Sequence, residues 1–144
     1  YQKGEYPLIE KLKTIVDALN GATTSDGLQI EAAIIDESEL MAQVTVETRE
    51  EFPIIVDINE TQVLAIVNLF ESEEIKEGLE AEMMEGMLSM NIPLPLSAFA
   101  KTGQQYQLYG AASVDSKPEV LVEEIDMLSC NLDAALEAFS SYLK

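Results

Sequence analysis

Histidine and tryptophan are absent from the 144 residues, and cysteine and arginine occur once each, as Cys130 and Arg49. Without histidine the commonest general base and metal ligand is missing, and metal-bridging helices that use Glu-x-x-His cannot be built. A single thiol forms no intramolecular disulfide and no cysteine cluster for zinc or iron–sulfur, which fits a reducing cytoplasm. No apolar run approaches the roughly 18 residues of a membrane span, so membrane insertion is not expected. Tyr1 to Lys13 carries charges where a signal peptide holds its apolar segment. Bases are scarce: 8 lysines and arginines face 27 acids, a formal net charge of −19. That field repels phosphate, which makes nucleic acid and anionic lipid surfaces poor direct partners; the acids first of all keep the chain soluble, and a basic protein face is the alternative use for them.

What is present suffices for a core. Apolar residues make up 47% of the chain, and one α+β domain over residues 1–144 is expected. Leu8, Ile9, Leu12, Ile15, Val16 and Leu19 recur at three- and four-residue spacing, which predicts a helix from Pro7 to Leu19 stopped by Asn20-Gly21. From Leu28 the period becomes two: Leu28, Ile30, Ala32 and Ile34, then Leu40, Ala42, Val44 and Val46, predict a hairpin turning at Asp36 to Ser38. Phe52 to Ile58 and Gln62 to Leu69 flank a short turn at Asn59-Glu60. Both are apolar on each face, which predicts a central antiparallel pair covered on both sides.

Ser72, ahead of Glu73 and Glu74, predicts the start of a second helix running to about Met90. The prolines of Ile92-Pro93-Leu94-Pro95-Leu96 end it and predict an extended segment, with Ser97 to Lys101 a short edge strand. Gln105 to Ala112 reads as a further strand in which Gly110 permits a bulge or a close backbone approach. Pro118 opens a last helix that presents Leu121, Ile125, Leu128, Leu132, Leu136 and Phe139 on one face and reaches about Tyr142. The order α-β-β-β-β-α-(β)-β-α describes an antiparallel sheet of five to six strands with three helices.

No residue set is assigned a catalytic, metal-binding or cofactor role. Glu119, Glu123, Glu124 and Asp126, like the six glutamates between Glu73 and Glu85, read as solvated faces, since no cationic or nucleophilic complement accompanies them. Asp36-Glu37-Ser38-Glu39 lacks the alternating acids and central glycine of a calcium loop. Arg49, bracketed by Glu47, Glu50 and Glu51, predicts a local ion pair. Cys130 lies about 180° around the last helix from Leu121, on the side of Glu123 and Glu137, and is expected to be an exposed, unactivated thiol.

The run Met87-Leu88-Ser89-Met90-Asn91-Ile92-Pro93-Leu94-Pro95-Leu96-Ser97-Ala98-Phe99, followed by Tyr106-Gln107-Leu108-Tyr109-Gly110-Ala111 and Val122-Glu123-Glu124-Ile125, resembles the bacterial YjfI family, a domain of unknown function. That family brings no catalytic residues to carry over. The resemblance implies an accessory or regulatory role near phage-shock-type membrane-stress proteins. Element order and acidity are also similar to type III secretion chaperones.

Two functions are weighed. One is a non-enzymatic, chaperone-like or adaptor-like module that binds a protein and forms a homodimer; the other is a small-molecule-binding or weakly catalytic domain using carboxylates or Tyr106 and Tyr109. For the first, the second helix supplies the surface. Ile75, Leu79, Met83, Met87 and Met90 take the inward stripe, which leaves Met84 and Leu88 on the other side with Glu80 and Glu85 at their rim. Burying Met84 and Leu88 at an interface is worth roughly 3–5 kcal/mol before association costs. Folding back of Pro93 to Phe99 over these two side chains is the competing arrangement.

Overall fold

The structure is a computed structural model that describes residues 7–144; the first six residues of the Tyr1–Lys13 segment lie outside it. Helix α1 (Leu8–Leu19) buries Leu12, Ile15, Val16 and Leu19, the stripe set by its spacing, and ends at Asn20 before Gly21 at φ 90°. Strands β1 (Ile30–Asp36), β2 (Met41–Val46), β3 (Ile54–Ile58) and β4 (Gln62–Glu71) follow as a meander, then α2 (Glu80–Asn91), β5 (Ala98–Thr102), β6 (Gln105–Ser113) and α3 (Pro118–Phe139). All neighbours in the six-stranded sheet pair antiparallel, in the order β1-β2-β3-β4-β6-β5. Thus β3 and β4 are central and β5 is an edge, as expected.

Register decides which side chains meet, because a strand alternates faces residue by residue. One row crosses the inner face as Val44, Ile54, Val67, Leu108 and Phe99, and all five are buried. Helix α3 packs there through Leu121, Ile125, Leu128, Leu132 and Phe139, beside Ile15 and Leu19 of α1. The opposite face carries Ile55, Ile66, Tyr109 and Ala98 in one row and Leu64 beside Ala111 in the next. Apolar residues on both faces of β3 and β4 suggested two covering layers. Among the described residues no helix packs on this second face, whose side chains shield one another only partly.

The second helix begins later than its cap signals indicate. Ser72–Glu74 forms one 3-10 turn, closed by Glu71 N–H donating to the Glu74 carboxylate at 2.7 Å. Ile75 is extended and bridges to Leu143, and Gly78 takes φ 84° before α2 starts at Glu80. The two prolines do end α2, but residues 92–96 run through turns rather than an extended strand, with Leu96 at φ 60°. The register shift in β4–β6 falls between Asn68 and Phe70, so Gly110 is not a bulge.

Both edges of the sheet are met by an asparagine from the end of a helix. Asn20 Oδ1 accepts Ala32 N–H of β1 at 3.1 Å, and Asn91 Oδ1 accepts Phe99 N–H of β5 at 2.7 Å.

Candidate functional site

The surface of α2 is built by what its inward face consumes. Met83 and Met87 are buried, and Gly86 lies under the Phe139 ring, 3.2 Å from where a Cβ would stand. With that side committed to the core, Met84, Leu88 and Ile92 follow one another at four-residue spacing on the outside of the helix and its C-cap. Leu88 is 70% exposed and Ile92 93%. Met84 and Leu96 are exposed as well. The proline segment therefore does not fold back over Leu88. It is anchored elsewhere: Leu94 is buried, and Asn131 of α3 donates to the Pro95 carbonyl at 2.7 Å and to Ser97 Oγ at 2.9 Å.

The two glutamates placed at the rim differ. Glu85 is exposed. Glu80 is turned back into the molecule, accepting the Tyr106 and Ser72 hydroxyls and pairing with Lys101 at 3.6 Å. The Tyr106 hydrogen bond leads the causes that hold its carboxyl below the usual range. Tyr106 in turn is buried, and burial followed by Glu80 pushes its phenol far above the ordinary value. The neighbouring Glu82 accepts the Tyr142 hydroxyl at 2.8 Å. Tyr109 stands half-buried on the helix-free face of the sheet.

That face has an electrostatic gradient along the strand order. Ile55, Leu64, Ile66 and Tyr109 make its centre mainly apolar, with Asp57 opposite Leu64 the one acid there, while Glu31, Glu47 and Glu50 line a shallow groove of about 260 Å3 with Gln29 and Thr45 towards β1 and β2.

Three local expectations change in the folded chain. Arg49 ignores its neighbouring glutamates: it donates to Ser129 Oγ at 2.6 Å, pairs with both carboxylate oxygens of Asp133, and reaches Asp26 at 3.4 Å. The turn after β2 thereby grips α3 and the α1–β1 loop at once. Cys130 is half-buried rather than exposed, because that loop crosses its side of α3; Ser25 donates from its amide and hydroxyl to Asp126, one helical turn from the thiol. Burial, then the Asp126 charge, pushes the Cys130 thiol up, the wrong direction for a nucleophile. Glu124 is not wholly on a solvated face: its Oε2 is buried without a hydrogen-bond partner and would stand 2.8 Å from a Cβ on Gly110, where the Leu96 carbonyl also closes in at 3.0 Å. The close approach anticipated at Gly110 is thus present. Burial, then Glu123, raises the Glu124 carboxyl above its ordinary value.

Carboxylate oxygens of Asp26 and Asp126 and the Cys130 sulfur come within 4.8 Å of one another. The Asp26 carboxylate is already engaged by Thr24 and Arg49, and the thiol disfavours its anion, so the donor set is poor for a cation. A cavity of about 10 Å3 between α1, α3 and the sheet, lined by Ile15, Leu19, Val56, Leu121, Glu124 and Ile125 among others, has room for one water at most. Among the described residues no helix is long and apolar enough to cross a membrane.

Residues 10–143 match the profile of a bacterial family described as "Uncharacterized protein conserved in bacteria (DUF2170)", which bears out the resemblance drawn from the Met87–Phe99 run. No curated protein matches the sequence. Among solved structures, a chain of the HopA1–SchA chaperone–effector complex is similar at TM-score 0.59 and 13% identity, over 90% of this chain and 94% of that one. A chain of the ExsC–ExsE complex is similar at TM-score 0.53 and 18% identity, over 74% of this chain and 77% of that one. A chain of the heterodimeric ExoU–SpcU complex from the type III secretion system of Pseudomonas aeruginosa is similar at TM-score 0.49 and 18% identity, over 65% of this chain and 75% of that one. At such identities the likeness is one of fold.

Proposed function

We propose that this chain, which belongs to that family of uncharacterized bacterial proteins, acts as a chaperone-like or adaptor-like module that binds protein and carries out no chemistry of its own. The observation that supports this reading is the apolar line of Met84, Leu88 and Ile92, which the other described residues leave in water. Large apolar side chains clustered in solvent favour association with another protein surface. The fold shared with a chain of a chaperone–effector complex is consistent with it. A role in the bacterial cytoplasm, accessory to a membrane-stress response, completes the proposal.

The charge of −19 selects a basic partner, with the acidic groove of Glu31, Glu47 and Glu50 beside the apolar sheet face the place for its cations. Small-molecule catalysis is the weaker reading, because the Tyr106 hydroxyl is spent on Glu80. Replacing Met84 by Ser and Leu88 by Gln together, then measuring mass by light scattering and partner capture by pull-down, tests the proposal. A change in mass or capture at native stability is expected; unchanged mass and capture would overturn it.

A further inference from the structure

Charge is distributed unevenly around α2. From Gly86 to Ala100 fifteen consecutive residues carry no ionisable side chain, the longest such run in a chain with 35 charged residues. Its apolar members Leu88, Ile92 and Leu96 are exposed. Of the acids at the start of the helix, Glu80 is turned inward by Tyr106, Ser72 and Lys101, while Glu82 accepts the Tyr142 hydroxyl and stays exposed. A basic partner would find only the flanking Glu82 and Glu85 to pair with here. A second molecule of net charge −19 could approach here, and nowhere more acidic, without burying like charges against one another.

We infer that Met84, Leu88 and Ile92 form an isologous interface with a second copy of this chain. Spacing of four residues puts Met84, Leu88 and Ile92 on one line, so two such helices related by a twofold axis interdigitate the same ridge with itself. Glu85 stays at the solvated rim. The arrangement rests on the protein-binding reading and assigns this surface its occupant. The helix-free face of the sheet remains open for a different protein.

The sign of the salt dependence separates this occupant from a basic one. Two strongly acidic molecules repel, and added salt screens the repulsion, so the dimer tightens as ionic strength rises; contact with a basic partner loosens. Sedimentation equilibrium of the full chain between about 0.05 M and 0.5 M NaCl, where the screening length shrinks severalfold, is expected to show a dimer whose Kd falls by roughly tenfold. Leu88→Glu and Ile92→Glu alter side chains that stand in water, so each should keep the wild-type melting temperature of the monomer while weakening the dimer by about a hundredfold or more. Ile66→Glu on the sheet face should leave the mass unchanged. A monomer at every salt concentration, a dimer that loosens with salt, or a dimer that survives L88E and I92E but not I66E each overturns the inference. If the wild-type chain is monomeric yet pull-down capture falls with Met84→Ser and Leu88→Gln together, the protein-binding reading stands and only the second copy is wrong.

Discussion

Arg49→Ala measures whether the fold depends on a long-range clamp or on local charge pairing. The guanidinium is 12% exposed and bonds Ser129, Asp133 and Asp26, whereas the two carboxylates are about half exposed. Such partners rehydrate when the cation goes, so the Asp133 pair is worth about 0.5–1 kcal/mol. Ser129 is 1% exposed; stripped of its partner it costs about 1–3 kcal/mol more. A loss of about 3 kcal/mol follows, and Arg49→Lys, which keeps the charge but not the fork, recovers less than half. With a urea m-value of about 1.5–2 kcal/mol/M for a chain of this size, the midpoint drops by about 1.5–2 M at unchanged slope. Circular dichroism through a urea titration reads it, and a double-mutant cycle with Asp133→Ala is expected to show coupling of about 1 kcal/mol. A loss below about 0.5 kcal/mol, or coupling to Glu50 in place of Asp133, refutes the clamp.

Three further outcomes follow from the α3 and β6 contacts. Gly110→Ala forces a methyl to within 3.0 Å of the Leu96 carbonyl and 2.8 Å of Glu124; a loss of about 1–3 kcal/mol is expected by thermal melting, partly recovered with Glu124→Ala, and full recovery would show that the Leu96 carbonyl yields freely. Because burial raises the Glu124 pKa above its ordinary 4.5, the native state binds that proton more tightly than the unfolded chain. Its stabilisation is complete below 4.5 and declines as pH rises through the raised value, so Glu124→Gln should gain on wild type across that window and stay flat below it. An equal difference at all pH values would contradict the assignment. Cys130 should react with a thiol reagent several times more slowly in the native protein than in denaturant, and equal rates would mean that the Ser25–Asp26 loop does not cover it.

How far the sequence could be read depended on the range of the interaction concerned. The α1 and α3 stripes, the hairpins and the antiparallel β3–β4 pair were legible because three- and four-residue or two-residue apolar spacing is a local property. The second face of β3 and β4 was misread for a related reason: Ile55, Leu64 and Ile66 are apolar whether a layer covers them or they only shield one another. Glu73 and Glu74 signalled a helix start, but Ile75 pairs with Leu143, far along the chain, and a strand bridge there excludes a helix. Arg49 and Cys130 failed together, since both meet the loop between α1 and β1, whose path no local pattern specifies. Of the proposed contact surface, the helical periodicity of Met84 and Leu88 could be read in advance. Its continuation to Ile92 could not, because prolines had implied an extended strand in which spacing of four has no meaning.

Asn20 precedes β1 in the chain and Asn91 precedes β5. Each is therefore synthesised before the strand whose outward amide it blocks. An unfinished sheet edge is a template on which neighbouring chains polymerise, and the danger is greatest while chains emerge crowded from ribosomes. Here the stopper leaves the exit tunnel ahead of the one edge amide it blocks. Moving either asparagine to the far side of its strand, as a circular permutation would, should leave the finished molecule intact and lower the yield at which it is made.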